Sequence, residues 1–388
     1  MANRLLDLLL GGLTLLTPVT IHLFFPAIPA VKAEFGLSDA LAQLIFSAGV
    51  FGLAFSTLVY GALGDRYGRR PVLLAGLLLF LLGSGMAWLA TSFSTLLAGR
   101  LIQAIGAGSG ITLARAIARD VHGADGLVRA IAYLTLFFAI GGMSGPAIGG
   151  ILIDQTGWRS IFAVAGLAGV AALFGTYFLV PETGSRAAIS SGPSMLAGLV
   201  ELMRRPRFCA LVIHTGCSTA AFLTLATASA VLMKEVLHRP ATEFGLWFAM
   251  VPVGFVIGTV ISTRIGNRAS ADRMVLIGSV LMATAITVQA TLLLTGILSP
   301  LVLFLPGSFV TFAQGLALPY AQAGAMSIIP RLSATAAGIG VFMQNFMGAG
   351  IAQTYGLVAN GTAVPLVWIT TIMMLCSLAA ALAARFTR

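Results

Sequence analysis

Twelve apolar runs follow one another along this chain, each long enough to cross a lipid bilayer as a helix. They lie at 8–31, 40–63, 71–91, 95–117, 128–152, 159–180, 207–233, 243–264, 274–297, 300–326, 335–358 and 363–384. A helix rises about 1.5 Å per residue and the hydrocarbon core is about 30 Å thick, so about 20 apolar residues span it. In hydrocarbon each backbone N–H and C=O must find a partner within the segment, and runs of this length achieve that as helices. Of the 388 residues, 58% are hydrophobic and only 9% charged. A water-facing surface cannot be built from so few charges, whereas a lipid-facing one needs none. The chain therefore reads as an all-α integral membrane protein with twelve transmembrane helices.

The few charges are placed with a bias. Arg100 and Arg115 fall inside the fourth run. With the N-terminus inside, Lys32, Arg159, Lys234 and Arg239 lie on the outer side, and the remaining sixteen of the 22 Lys and Arg face the cytoplasm. Both termini are then cytoplasmic. A net charge of +10 would suggest nucleic acid for a soluble chain. Here no basic stripe or aromatic-interleaved groove exists, so nucleic acid is excluded as a partner and the lipid bilayer takes its place. Arg4 precedes a long apolar run, but Asp7 and the lack of a following soluble domain argue against a cleaved signal peptide. Cys209, Cys217 and Cys376 lie in apolar runs without metal-ligand spacing and read as packing residues. No metal is expected.

One polar stretch, Pro181 to Pro206, divides the chain near its middle and contains PETGSR, SSGPS and RRPR. It reads as a cytoplasmic linker, 181–206, with a short interfacial helix around Ser194–Arg204, between an N-terminal bundle 1–180 and a C-terminal bundle 207–388. The halves share faint similarity. The fourth run carries Arg100-Leu-Ile-Gln103 and the tenth Thr311-Phe-Ala-Gln314, and the loops after the second and eighth runs are both Arg-rich. Two six-helix pseudo-repeats with a substrate site between them near the midplane are a frequent transporter architecture.

Two motifs carry more than hydropathy. The loop after the second run reads Gly61-Ala-Leu-Gly64-Asp65-Arg66-Tyr67-Gly68-Arg69-Arg70-Pro71. Its glycines permit a tight turn and close helix approach, and Arg66, Arg69 and Arg70 are placed to pair with acids such as Asp120. The fifth run carries Gly141-Gly-Met-Ser-Gly145-Pro146-Ala-Ile-Gly149-Gly150. Glycines four residues apart permit close packing, and Pro146 bends a helix. The first motif resembles the signature loop of the major facilitator superfamily. The second resembles the antiporter motif of its twelve-segment drug:proton antiporters. Phe25-Pro26-Ala27-Ile28-Pro29, Arg100-Leu-Ile-Gln103 and Arg115-Ala-Ile-Ala-Arg119-Asp120 are similar to the bicyclomycin-resistance and CflA branch. The resemblance implies the major facilitator fold, a bacterial inner membrane location, alternating access, and efflux of small amphiphilic molecules in exchange for protons. It implies a latch at Asp65 and close packing of the fifth helix on a partner in the opposite half.

In one respect the chain departs from that branch. Its proton-coupled members carry a carboxylate four residues before the first proline of the segment-1 stretch, and here that position is His22. All twelve acids fall in loops or near helix ends. The ionisable groups left at depth are His22, Arg100 and His214. His22 lies roughly 22 Å from the cytoplasmic face and Arg100 roughly 9 Å below the outer one, at similar depths in the core. An intramembrane arginine must face the protein interior. His22 either exchanges a proton or is a neutral, hydrogen-bonded histidine. His214, nearer a helix end, reads as the latter. Arg100 either rests on Gln103 and backbone carbonyls or meets a polar or anionic substrate, in a pocket shared with His22 and Gln103. Tyr133, Ser218, Gln314, Gln344 and Asn345 are further candidates for that pocket, although such residues often only join helices. Without a buried carboxylate the expected cargo is neutral, zwitterionic or anionic. The rival reading is an uncoupled facilitator or anion-selective carrier. No HExxH, GxSxG or paired aspartate supports an enzyme, and no phosphate loop or selectivity filter appears. The chain is expected to need no cofactor and to act as a monomer.

Overall fold

The computed structural model describes residues 2–183, 195–329 and 332–387. Its helices in order are α1 (Ala2–His22), α2 (Ala27–Phe35), α3 (Asp39–Tyr67), α4 (Arg69–Trp88), α5 (Phe93–Thr156), α6 (Ser160–Leu179), α7 (Met195–Met203), α8 (Pro206–Val231), α9 (Ala241–Phe248), α10 (Met250–Ile265), α11 (Ala271–Leu294), α12 (Pro300–Ser327), α13 (Ser333–Val358) and α14 (Val364–Phe386). No strand occurs among the described residues. Eleven of the described helical stretches are long and apolar enough to cross a membrane. The twelfth span is α13, whose hydropathy Gln344, Asn345 and Gln353 pull down.

Three expectations need correction. The first run, 8–31, is not one helix: it stops at His22 and restarts at Ala27. The fourth and fifth runs are not separated by a ten-residue loop. Helix continues through both, broken only at Gly123, where φ is +61° and ψ −169°. Its two limbs cross as Phe93–Gly123 and Tyr133–Thr156. Helices extend past the apolar runs because continuing the helix satisfies the backbone more simply than a loop would. The eighth run is likewise two stacked helices, α9 and α10, meeting at Ala249. A short helix, α7, is present where one was expected, while residues 184–194 lie outside those described.

The chain divides into two compact units, Met1–Leu37 with Leu44–Ser191, and Ser38–Gln43 with Gly192–Arg388. In the first, α1 and α4 pack on α5, and α6 on α4. Its buried cluster draws on Leu10 and Leu13 of α1, Leu73 and Leu77 of α4, and Leu113 and Leu134 of α5. In the second, α8 packs on α13 and α14, and α12 on α10 and α11. Its cluster draws on Phe208 and Leu211 of α8, Val275 of α11, Ala321 of α12 and Ile339 of α13. Taken in chain order, the two clusters use corresponding elements, as expected of pseudo-repeats.

Lipid is as apolar as leucine, so close backbone approach does the work that the hydrophobic effect does in water. A Cβ at Gly99 on α5 would lie 2.7 Å from the backbone nitrogen of Ala87 on α4. Serine and threonine inside the helices donate to carbonyls one turn back, as Thr14 does to Leu10 at 2.9 Å and Thr20 to Leu16 at 2.7 Å. This leaves few polar side chains needing partners elsewhere.

Candidate functional site

The break after His22 follows from Pro26. Proline has no N–H to donate to the His22 carbonyl, and its ring crowds that turn. The chain tightens instead: Phe25 N–H donates to His22 O at 3.2 Å and Phe24 N–H to Ile21 O at 3.3 Å. The tightened turn sends two neighbouring phenylalanines to different partners. Phe25 stacks on the His22 ring, centroids 5.1 Å apart, and meets Phe46 of α3 at 5.2 Å. Phe24 lies under the guanidinium of Arg100 at 4.4 Å and beside Phe162 of α6 at 6.2 Å. Both rings are fully buried.

Arg100 is only 2% exposed. Its Nη1 donates to Gln103 Oε1 at 2.9 Å and to the Thr20 carbonyl at 3.4 Å, and Gln103 Nε2 donates to Ser84 Oγ at 2.9 Å. Gly49 of α3 makes room for it, since a Cβ there would lie 3.3 Å from Nη2. Helices α1, α3, α4 and α6 therefore converge on one cation. No carboxylate pairs with it among the described residues, and its buried Nε has no hydrogen-bond partner. Of the two expectations for Arg100, the rest on Gln103 and a backbone carbonyl is what the geometry supplies.

His22 is half-buried and turns toward the glycine motif. Its Nδ1–H donates to the Gly142 carbonyl at 3.2 Å. A carbonyl can only accept, so the proton of the neutral ring sits on Nδ1. A Cβ at Gly145 would lie 2.9 Å from the His22 Cβ, one at Gly149 2.7 Å from Leu23 O, and one at Gly141 2.9 Å from Leu15 O. Spaced by one turn, Gly141, Gly145 and Gly149 form a flat strip for α1. The expected partner in the opposite half is thus corrected: these three glycines are occupied within their own unit. Pro146 and Gly150 are buried beside them.

At the α3–α4 turn, Arg69 is 6% exposed and pairs with Asp65 at 2.5 Å and Asp120 at 3.3 Å. Gly68 has φ +97°. Among the described residues Arg66 and Arg70 form no ion pair with the expected acids. Arg66 stacks on Tyr67 at 5.1 Å, and Arg70 donates to the Tyr177 carbonyl at 2.6 Å. What sequence reasoning missed is Glu182. It accepts from the backbone N–H groups of Arg69 at 2.8 Å and Arg70 at 3.3 Å, so it caps α4 where unsatisfied N–H groups and the helix dipole favour an anion. The available signal is an acid just after the sixth run, in a stretch whose composition reads as linker. Gly61 faces open space.

In the second unit, His214 is 2% exposed and its Nδ1 lies 2.9 Å from Ser377 Oγ and 3.3 Å from Ser279 Oγ. It joins α8, α11 and α14. Ser218, expected beside it, instead donates to Thr215 O. Gln314 donates to Thr219 Oγ1 of α8 at 3.1 Å, much as Arg100 reaches Thr20 of α1. Asn345 donates to Val341 O one turn back, and Gln344 Nε2 is buried without a partner among the described residues. Tyr133 packs on Phe137, centroids 4.9 Å apart.

Two further clusters were not foreseen. Asp7 Oδ1 lies 2.7 Å from His122 Nε2, beside the Gly123 break. At the far end of the unit, Glu34 accepts from Trp158 Nε1 at 2.5 Å and Arg159 Nη1 at 2.6 Å, and Arg159 also donates to Ala90 O. Burial alone would raise the Glu34 pKa, but the two donors and the Arg159 charge together hold it below the ordinary carboxylate range. Among the described residues no group of His, Cys, Asp and Glu could hold a metal ion.

Comparison with known proteins agrees with this geometry. The family model of the Major Facilitator Superfamily matches residues 10–353. The bicyclomycin resistance protein homolog of Haemophilus influenzae is 24% identical over 269 residues, 69% of this chain and 68% of that protein. The multidrug resistance protein MdtL of Shigella dysenteriae is 29% identical over 239 residues, 62% of this chain. The chain spans only 61% of the length of that MdtL. In fold, a D-xylose-proton symporter superposes with a TM-score of 0.78 at 17% identity, covering 99% of this chain and 97% of that one. The nucleoside transporter NupG superposes at 0.77 and 14% identity, covering 98% and 99%. With twelve spanning helices, the signature turn and the family match, this multi-pass membrane protein is a transporter that belongs to the Major Facilitator Superfamily.

Proposed function

We propose that the chain exports small amphiphilic compounds, drug or metabolite, in exchange for protons. The cargo is neutral, zwitterionic or anionic, because no carboxylate at depth is present to anchor a cation. Transport proceeds by alternating access of the bundles 1–180 and 207–388, joined by 181–206, in a monomer of the bacterial inner membrane with both termini cytoplasmic. His22 exchanges the proton, Arg100 and Gln103 organise the first bundle, and the turn around Asp65 is the latch. The names of the curated relatives, bicyclomycin and multidrug resistance, support the cargo class.

One observation carries this reading. His22 sits at the break of the first span, where the family resemblance implies a carboxylate, and its Nδ1 rests on the Gly142 carbonyl of the antiporter motif. A change in the packing of α1 on that limb of α5 would alter the surroundings of the ring and so couple a proton site to conformation.

The test is transport in proteoliposomes with an imposed pH gradient, using a neutral phenicol and an organic anion, for wild type and His22→Ala. Gradient-driven transport that is lost in the variant is the expected result. Equal gradient-driven transport in both would overturn the role of His22. A second reading, an uncoupled anion carrier, draws on the absence of a carboxylate partner for Arg100 among the described residues. It requires anion flux that is indifferent to the gradient.

A further inference from the structure

The first unit carries an apolar groove of about 540 Å³ between α3, α4 and α5. Phe55, Val59 and Tyr67 of α3 and Ala75 and Leu79 of α4 line it, with Tyr60 buried beneath. Four of these side chains are open to the surroundings, as the lipid-facing surface is elsewhere: Phe55 is 53% exposed, Val59 52%, Tyr67 55% and Leu79 40%. Ala75 of α4 presents only a methyl group to the groove, and Gly76 beside it is closed over by Ser109 of α5. In a membrane, the medium that fills a trough of this kind is a hydrocarbon chain.

Its end is chemically different. Tyr67 closes α3, Gly68 makes the turn and Arg69 opens α4. Both helices are spans, so this turn lies at a membrane surface. Of the three arginines there, Arg69 is held by Asp65 and Asp120, and Arg70 by the Tyr177 carbonyl and ring. Arg66 is exposed, forms no ion pair among the described residues, and stands 5.1 Å over the ring of Tyr67, which lines the groove. An apolar trough that leads to a cation at the water boundary has the polarity of a lipid with an anionic headgroup. The second unit offers a contrast: its groove of about 420 Å³ between α11 and α12 is lined without charge, as the first is, but the turn joining those helices, 295–299, carries no charged residue.

We propose that the α3–α4–α5 groove is a binding site for an anionic phospholipid of the surrounding bilayer, with an acyl chain along Phe55, Val59 and Leu79 and the headgroup phosphate on Arg66. The site is separate from the His22 and Arg100 clusters and does not depend on the cargo.

The test is native mass spectrometry of the full chain equilibrated with phosphatidylglycerol and phosphatidylcholine of matched chains. Wild type is expected to retain phosphatidylglycerol in preference, by about fivefold for a single arginine contact. Arg66→Gln keeps the lipid but abolishes the preference. Ala75→Trp fills the groove and lowers retention of both lipids, whereas Ala285→Trp in the second groove leaves the preference intact. An unchanged preference in Arg66→Gln, or undiminished retention in Ala75→Trp, overturns the site. If Ala75→Trp fails to insert, wild type is labelled with phosphatidylglycerol bearing a diazirine in its acyl chain. Label concentrated on residues 55–79 is expected. Label spread evenly over all helices, or a dimer that protects the groove in place of lipid, overturns the proposal.

Discussion

The guanidinium of Arg100 lies 4.4 Å from the centre of the Phe24 ring, while Phe25, the next residue, stacks on His22 at 5.1 Å. The tightened turn before Pro26 thereby links, through two neighbouring rings, the two ionisable groups that lie at depth in the first bundle. A desolvated cation over an aromatic face contributes about 2 kcal/mol. Phe24→Leu keeps the burial and removes the face, so it should destabilise the protein by about 2 kcal/mol. Unfolding in detergent measures this. Phe25→Leu, by contrast, should alter the pH dependence of transport more than stability.

Gly145→Ala tests the strip. The added methyl would meet the His22 Cβ at 2.9 Å, tighter than packed atoms tolerate. Overpacking of this kind costs about 1–3 kcal/mol or shifts the helix. Transport should fall at least tenfold with normal membrane insertion. Gly12→Ala, where a methyl meets nothing within 4 Å, is the control and should transport as wild type does.

Glu182 offers a test of the α4 cap. Glu182→Gln retains shape but loses the anion at a helix N-terminus, an effect of about 1 kcal/mol. Asp65→Asn should instead slow turnover while leaving substrate binding near wild type. Comparing equilibrium binding with transport rate separates the two. An unchanged rate in Asp65→Asn would remove the latch from the mechanism.

The Glu34 cluster predicts a pH dependence. The folded-state pKa of Glu34 is lowered relative to the unfolded chain. Its stabilisation is therefore present above the ordinary carboxylate pKa and is lost as pH falls through the lowered value. The side chain is 41% exposed, so solvent screening keeps the effect small. Unfolding midpoints measured from neutral to acid pH should decline less steeply in Glu34→Gln than in wild type.

His214 should behave as a structural residue. His214→Ala leaves the Ser377 hydroxyl facing a cavity in the second unit, while Ser279 keeps its donation to the Val275 carbonyl. An unsatisfied buried hydroxyl costs about 1–3 kcal/mol. Stability should drop while the pH dependence of transport stays as in wild type.

Hydropathy, charge bias and the two glycine motifs were enough to read twelve spans, their order and the family, because each is a local property of the chain. The requirement that backbone be satisfied in lipid leaves little choice once an apolar run is long enough. Arg100 with Gln103 was legible for a similar reason: an intramembrane cation needs donors' partners nearby, and one turn of helix supplies Gln103. The remaining contacts were decided by tertiary structure. Membrane helices are apolar on nearly every face, so periodicity says little about how each is rotated or which neighbour it meets. Which helix Gly145 packs on, which way Phe24 and Phe25 turn, and that Glu182 returns to cap α4 across more than a hundred residues depend on those rotations. The proline at position 26 marked where the first span could break, but only the packing of α1 on α5 brought His22 to Gly142.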